Sequence, residues 1–270
     1  VWPRLALVLS GVNSKAQGRR EKPVPYAAYL ASRPKHWEDE AVRWIIDLCR
    51  KYRCRVHIVH VSSAGALTSI AAAKQEGLPI TAETCPHYLF FEAEAIPDGE
   101  TVYKCAPPIR ERANNDLLIG GLKNGTLDFI ASDHSPAPPE TKELVSGNLA
   151  RAWGGIAGLQ YLLPASWTAL RSRLSLEEFI PLLTSRPAAF LGLEQRKGAI
   201  SPGLDADLVV WRPETEYTTE VQQLQHRHKI SPYLDRRLYG CVLQSFVRGA
   251  EVFNRGEFSS KPAGTWLFRK

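Results

Sequence analysis

The segment TLDFIASDHSP, residues 126–136, carries a short apolar run that ends in an acid and a histidine. The run from Leu127 to Ile130 is typical of a buried β-strand. Asp133 and His134 follow it directly, and Pro136 closes the segment. A charged pair at the tip of a strand indicates that the tip faces a polar site, since functional groups of α/β folds gather at the carboxyl ends of strands.

Helical and strand patterns alternate on both sides of this segment. Apolar spacing predicts a helix over 38–52, and RVHIVHV (55–61) predicts a buried strand. A helix is expected over 62–77, with Ser62 or Ser63 as its cap and Gly77 as its stop. Further elements are predicted in chain order: strand 78–84, helix 115–125, strand 126–133, and helices 154–170 and 175–192. This order is the signature of a parallel α/β fold.

After Leu193 the predicted pattern changes from alternating helices and strands to short strands. The segments KGAISPGLDADLVVW (197–211) and GCVLQSFVRGAEVFNRGEF (240–258) predict short strands joined by Gly and Pro turns. We therefore expect a small β-rich unit at this end of the chain.

Composition excludes several classes of function. The net charge is +6, but the basic residues are scattered and form no stripe with interleaved aromatics, so nucleic-acid binding is not expected. The sequence contains no run of about 20 apolar residues, which is the length that a transmembrane helix needs, so no membrane span is predicted. Five cysteines without a disulfide-framework spacing predict reduced thiols in an intracellular protein. The absence of Met and the start at Val1 indicate a fragment of a longer protein.

Two residues at predicted strand ends are candidate metal ligands. His57 and His60 are three apart, so a regular strand would point them to opposite faces. His60 is nearer the strand end and is the better ligand, whereas His57 should face the helical layer or pack locally. Alone, His60 could be a part-buried structural histidine and Asp133 a turn cap. Together, at the ends of separate parallel strands, they predict a site for zinc or a similar ion.

A second histidine pair, His226 and His228, forms an H-x-H motif. It lies in a polar segment with no apolar strand before it. We interpret it as structural or surface sequence rather than a metal site.

Seven motifs in order carry a family resemblance between Tyr29 and Phe258: HIVHVSS, ETCPHYLFF, KCAPPIR, ASDHSPAPPE, GNLARAWGGIAGLQ, KGAISPGLDADLVVW and HRHKISPY. Together they resemble the allantoinase family, in the cyclic amidohydrolase branch of the amidohydrolase superfamily. SDHSP combined with AWGGIAGLQ distinguishes that family from its relatives.

The resemblance implies a TIM-like (β/α)8 barrel with a two-metal centre, holding two zinc ions when complete, and a small β-sandwich appendage. On this basis residues 1–22 do not match, 23–192 are the C-terminal βα units of the barrel, and 193–270 are the appendage and tail. The implied reaction is hydrolysis of the ring amide of allantoin to allantoate in purine breakdown. The implied complete enzyme is a homo-oligomer, a tetramer, in the cytoplasm, a mitochondrion or a peroxisome.

The resemblance also assigns roles to residues. His60 matches one of the family's histidine ligands, and Asp133 matches the aspartate that is both ligand and acid–base group. His87 is expected to line or support the pocket. The backbone of Trp153, Gly154 and Gly155 is expected near the substrate ring, in a loop and helix start beside Asp133.

Other family ligands have no match in this sequence, namely an H-x-H pair after a strand, a carbamylated lysine and a further histidine. Ala106 stands where relatives often carry serine. The chain alone is therefore expected to be inactive. Two alternatives are a non-catalytic amidohydrolase-like scaffold and a dihydropyrimidinase or dihydroorotase. The retention of His60 and Asp133 argues against the scaffold, and AWGGIAGLQ argues against the second alternative.

Overall fold

The computed structural model describes residues 24–267, so the predicted non-matching segment 1–22 lies outside the described residues. Three strands form a parallel sheet in chain order: β1 (Val56–Ile58), β2 (Ile80–Thr84) and β3 (Phe129–Ile130). The α-helices in this part of the chain are α1 (Tyr26–Ala31), α2 (Lys35–Tyr52), α3 (Ala66–Gln75), α4 (Pro86–Phe90), α5 (Arg112–Lys123), α6 (Leu162–Leu170), α7 (Leu176–Phe179) and α8 (Ser185–Leu191). The predicted parallel α/β order is confirmed, with strands shorter than predicted.

The two faces of the parallel sheet differ in character. Ile80 and Ala82 of β2 are buried in the hydrophobic core on one face. His57 lies on the other face, where its Nδ1 is 2.8 Å from Thr81 Oγ1 and its Nε2 is 3.1 Å from Glu83 Oε2. Its ring also stacks on Phe129 at 5.3 Å. The expectation that His57 packs locally is confirmed.

The N-cap predicted for α3 is wrong. The helix begins at Ala66 after Gly65, without a side-chain cap. The backbone N–H groups of Ser62 and Ser63 instead donate to Glu38 Oε1 at 2.7 and 2.8 Å. These serines therefore tie the end of β1 to α2. The predicted stop is confirmed, since Gly77 follows the helix with φ of +70° and donates to the Lys74 carbonyl.

The two helices predicted after Asp133 are corrected by the structure. Residues 154–158 form a loop, in which Ile156 makes a parallel bridge to His134, and the helix begins only at Leu162 after a 3₁₀ turn. The second helix is divided into α7 and α8 by the 3₁₀ turn Ile180–Leu182. Pro181 lies in that turn, and a proline has no N–H with which to continue a helix.

The β-rich unit is one antiparallel sheet of four strands: β4 (Leu208–Thr218), β5 (Arg237–Val247), β6 (Ala250–Asn254) and β7 (Glu257–Phe258). Trp167 of α6 attaches it, because the indole N–H donates to the Pro213 carbonyl at 2.9 Å and the ring meets Trp211 edge-on. The described residues contain this one sheet after Leu193, so they do not show the two facing sheets of the expected sandwich.

Among residues 24–267, no helix combines the length and apolar character needed to cross a bilayer.

Replacing Glu38 with alanine should lower the free energy of unfolding by about 3 kcal/mol, because two buried amide donors lose a charged acceptor. Urea denaturation followed by circular dichroism measures this. Glu40→Ala, on an exposed position of the same helix, is the control and should change stability by less than about 0.5 kcal/mol. Equal effects of the two changes would show that the Glu38 contact does not hold α2 to the sheet.

Candidate active site

The C-terminal ends of the three parallel strands meet at one edge of the sheet, and each is followed by a candidate site residue. His60 follows β1, His87 follows β2 and Asp133 follows β3. The structure therefore places His60 and Asp133 at the same end of the strands. Functional groups collect at this end because the loops that follow parallel strands all emerge from the same edge of the sheet.

His60 and Asp133 share an uncommon backbone conformation. His60 has φ of +42° and Asp133 has φ of +43°. Non-glycine residues rarely adopt this left-handed region, and such strain concentrates at functional sites.

Asp133, His87 and Cys85 form a compact group of donor atoms. The Cys85 thiol, a ring nitrogen of His87 and a carboxylate oxygen of Asp133 all lie within 4.8 Å of one another. Cys85 directly follows the last residue of β2 and is fully buried. Sequence reasoning missed Cys85, although its place at a predicted strand end in ETCPH was a usable signal.

Burial is the main cause of the pKa shifts of Asp133, His87 and Cys85. It raises the pKa of Asp133 above its ordinary value, with His60 opposing the shift and Glu83 adding to it. His87 is 1% exposed. Burial, with a smaller effect from His60, lowers the pKa of His87 to about 3, so its imidazole is neutral at pH 7. Burial also raises the pKa of the Cys85 thiol.

The loop carrying Trp153, Gly154 and Gly155 runs beside the segment that follows Asp133. Gly155 has φ of +146°, and a Cβ there would lie 2.5 Å from Ser135 Oγ. Only glycine permits this close approach. The loop is thus next to Asp133 as expected, but without the expected helix start. The Trp153 side chain is exposed, while its backbone N–H donates to the Thr141 carbonyl.

Two buried lysines hold this loop, and sequence reasoning found neither. Lys142 Nζ donates to the carbonyls of Gly155 at 2.6 Å and Trp153 at 3.1 Å. Lys104 Nζ donates to the carbonyls of Ala150 and Ala152. Burial lowers the pKa of both lysines to about 8. Neither lysine had a distinguishing signal, because buried ammonium groups are exceptional and their partners are backbone atoms distant in sequence.

Residues of the segment 226–231 contact His134 and the loop at Ala157. The ring of His226 lies 6.0 Å from that of His134, edge to face, and Ser231 Oγ donates to the Ala157 carbonyl at 2.8 Å. His226 Nε2 is 3.3 Å from the Ile230 carbonyl. These contacts support the structural interpretation of the H-x-H motif.

The model of the amidohydrolase family matches residues 11–232, and the chain belongs to that family. It is similar to the allantoinase of Streptomyces avermitilis, with 45% identity over 246 residues, covering 91% of this chain and 54% of the relative. It is also similar to the allantoinase of Arabidopsis thaliana, with 42% identity, covering 92% of this chain and 51% of the relative. The chain thus spans about half the length of these curated relatives.

Solved structures give the same picture of the fold. L-Hydantoinase (dihydropyrimidinase) from Arthrobacter aurescens matches with a TM-score of 0.81 and 31% identity, over 96% of this chain and 56% of that one. A D-hydantoinase matches with a TM-score of 0.80 and 28% identity, over 88% of this chain and 53% of that one. The fold is therefore α/β and TIM-like.

Changing Lys142 to methionine should speed amide hydrogen exchange in residues 151–158 by about tenfold or more, since each lost hydrogen bond to an ammonium group is worth about 1.5 kcal/mol or more. Exchange measured by mass spectrometry tests this. Lys123→Met changes an exposed lysine of α5 and should leave exchange in the loop unaltered. Unchanged loop exchange in Lys142→Met would refute the role of Lys142 as a clamp.

Proposed function

We propose that this chain is part of a metal-dependent cyclic amide hydrolase of the allantoinase type, which opens the ring amide of allantoin to give allantoate. The observation that carries the proposal is the pairing of His60 and Asp133 at one edge of a parallel sheet, both in left-handed conformations. Allantoinases at 45% and 42% identity support the choice of substrate.

The donor set suits the divalent metals that the family resemblance implies. Imidazole and carboxylate groups are preferred ligands of zinc, and His60 and Asp133 offer one of each. We propose that these two residues hold metal in a two-zinc centre whose remaining ligands come from outside this sequence. When bound, such a centre lowers the pKa of a coordinated water and polarises the ring carbonyl.

Asp133 is proposed as the proton shuttle of the reaction. It takes a proton from the attacking water and delivers it to the leaving ring nitrogen, first as general base and then as general acid.

Substrate orientation is proposed for the backbone of residues 153–155 and for His87. The carbonyls of Trp153 and Gly155 already accept from Lys142, and the Gly155 N–H already donates to the Lys104 carbonyl. Within residues 24–267, the Gly154 N–H donates to no protein acceptor. We therefore assign the Gly154 N–H as the donor to a ring carbonyl of the substrate, with the neutral His87 lining the pocket.

The proposal also covers the domain organisation of the chain and the oligomeric state of the complete enzyme. Residues 23–192 are assigned as a partial (β/α)8 barrel, and 193–270 as the part of a small β-sandwich that this chain carries. The complete enzyme is proposed to be a homotetramer.

A hydantoinase or dihydropyrimidinase activity is the second candidate, favoured by the match to L-hydantoinase over 96% of this chain. A non-catalytic scaffold is the third, and the retained acid–base aspartate argues against it.

The chain alone, loaded with zinc, should form no allantoate above background, because a catalytic zinc site needs about three protein ligands and His60 and Asp133 supply two of those that the family uses. Adding the part of the Streptomyces avermitilis relative that this chain does not cover should restore allantoate formation. The assay is colorimetric detection of allantoate, run in parallel with hydantoin and dihydrouracil as substrates.

Asp133→Asn should abolish the restored activity, whereas Asp98→Asn, at an exposed position, should leave it intact. Faster turnover of hydantoin or dihydrouracil than of allantoin would favour the second candidate. Restored activity that survives Asp133→Asn would refute the proposed role of Asp133, and a complex that turns over none of the three substrates would favour the scaffold.

A further inference from the structure

We propose that Cys49 and Cys54 are a redox-modification site, at which a small-molecule disulfide of the glutathione type converts the two thiols into a reversible disulfide bridge. Both are free thiols in the structure. Cys49 lies in the last turn of α2, and Cys54 is the second residue after that helix. Neither belongs to the candidate active site, so the proposal does not depend on the proposed function.

The end of α2 folds Cys54 back against Cys49. Arg53 has φ of +52°, and its N–H donates to the Cys49 carbonyl at 2.8 Å. A left-handed residue in this place reverses the chain over the last turn of the helix. As a result, Cys49 Sγ donates to the Cys54 carbonyl at 3.2 Å. Only the carbonyl carbon, Cα and Cβ separate that oxygen from Cys54 Sγ. Local rotation of the two side chains therefore suffices to bring the sulfurs together, without movement of α2.

Electrostatics give a second sign that the two thiols are neighbours. Burial is the largest cause that raises the pKa of the Cys49 thiol, and the Cys54 thiol adds to the rise, while nearby arginines oppose it. Such an effect of one sulfur on another weakens with distance. The two side chains are therefore close enough to influence each other before any bond forms.

Unequal exposure gives the two thiols different roles. Cys54 is exposed, whereas Cys49 is 0% exposed. A dissolved disulfide therefore reacts first at Cys54, and the buried Cys49 is reached only by the sulfur of its neighbour. Cys85 and Cys105 also interact electrostatically, but both are buried and neither offers a first point of attack.

The reaction is two successive thiol–disulfide exchanges. The Cys54 thiolate attacks one sulfur of the small disulfide, whose S–S bond breaks, and the departing thiolate takes up the proton that Cys54 released. The Cys49 thiolate then attacks the Cys54 sulfur and displaces the second small thiolate, which takes up the Cys49 proton. Two protein thiols are oxidised to one disulfide, and one small disulfide is reduced to two thiols. Arg53 and Arg55 flank Cys54 and favour the approach of the carboxylates that glutathione disulfide carries.

The test is incubation of the reduced full chain with glutathione disulfide, followed by alkylation of the remaining thiols and tryptic digestion without reduction. Arg50, Lys51 and Arg53 lie between the two cysteines, so trypsin separates them into different peptides. We expect mass spectrometry to find these two peptides joined by a disulfide, and excess dithiothreitol to separate them.

Variants test the order of the two exchanges. Cys49→Ser should accumulate a stable glutathione adduct on Cys54, because serine cannot displace the bound glutathione. Its hydroxyl can still donate to the Cys54 carbonyl. Cys54→Ser should acquire no adduct at the buried Cys49. Cys241→Ser, which changes a thiol outside the pair, is the control and should form the bridge as the wild-type chain does.

Far-UV circular dichroism verifies that each chain is folded during the incubation. The proposal is overturned by a folded wild-type chain without the bridge, whether Cys54 stays free, keeps a stable glutathione adduct or links to a second chain. It is also overturned by a glutathione adduct on Cys49 in Cys54→Ser. If Cys49→Ser does not fold, the wild-type and Cys54→Ser results decide. None of these readouts involves the allantoate assay.

Discussion

Parallel pairing of β1, β2 and β3 is the constraint on which the rest of the molecule depends. Val56 pairs with Ile80 and Thr84 pairs with Ile130, so the three strands run in one direction and end at one edge. Parallel strands need long crossover connections, and these are α3 and the longer segment that includes α4 and α5. That geometry alone brings residues as distant as 60 and 133 to the same edge of the sheet, and it buries one face of the sheet beneath the helices.

Two buried charged side chains hold segments that lie outside regular strands and helices. Glu38 accepts two backbone N–H groups where β1 has ended, and Lys142 donates to carbonyls of a loop that has no strand or helix to satisfy them. Burying an ionised group is costly unless its hydrogen bonds are made, and here the partners are backbone atoms. The pKa of Lys142 is lowered chiefly by burial, because the charged ammonium group is less stable away from water. The loop beside Asp133 is thus held by charge-assisted bonds rather than by regular structure.

The sequence predicted the order of strands and helices and both residues proposed as family metal ligands, because apolar periodicity and strand-end position are local properties. It was wrong at Ser62 and Ser63, which looked like helix caps but serve Glu38 on another helix. It was also wrong over residues 154–158, where three glycines disfavour a helix and Ile156 instead bridges to His134. Cys85 was missed because its position at the end of a predicted strand was its one signal and a single cysteine has no spacing pattern. The two buried lysines were missed because their acceptors are backbone carbonyls.

The sequence by itself determined the parallel α/β class, the family motifs and the placement of His60 and Asp133 at strand ends. These are encoded in hydrophobic periodicity and in short contiguous motifs, which require no knowledge of distant contacts. Only the tertiary structure decided that Cys85 and His87 join Asp133 in one donor group and that Lys104 and Lys142 hold the loop beside it. Such groupings depend on strand register and on which backbone atoms remain unpaired after folding, and both are set by packing between segments far apart in the chain.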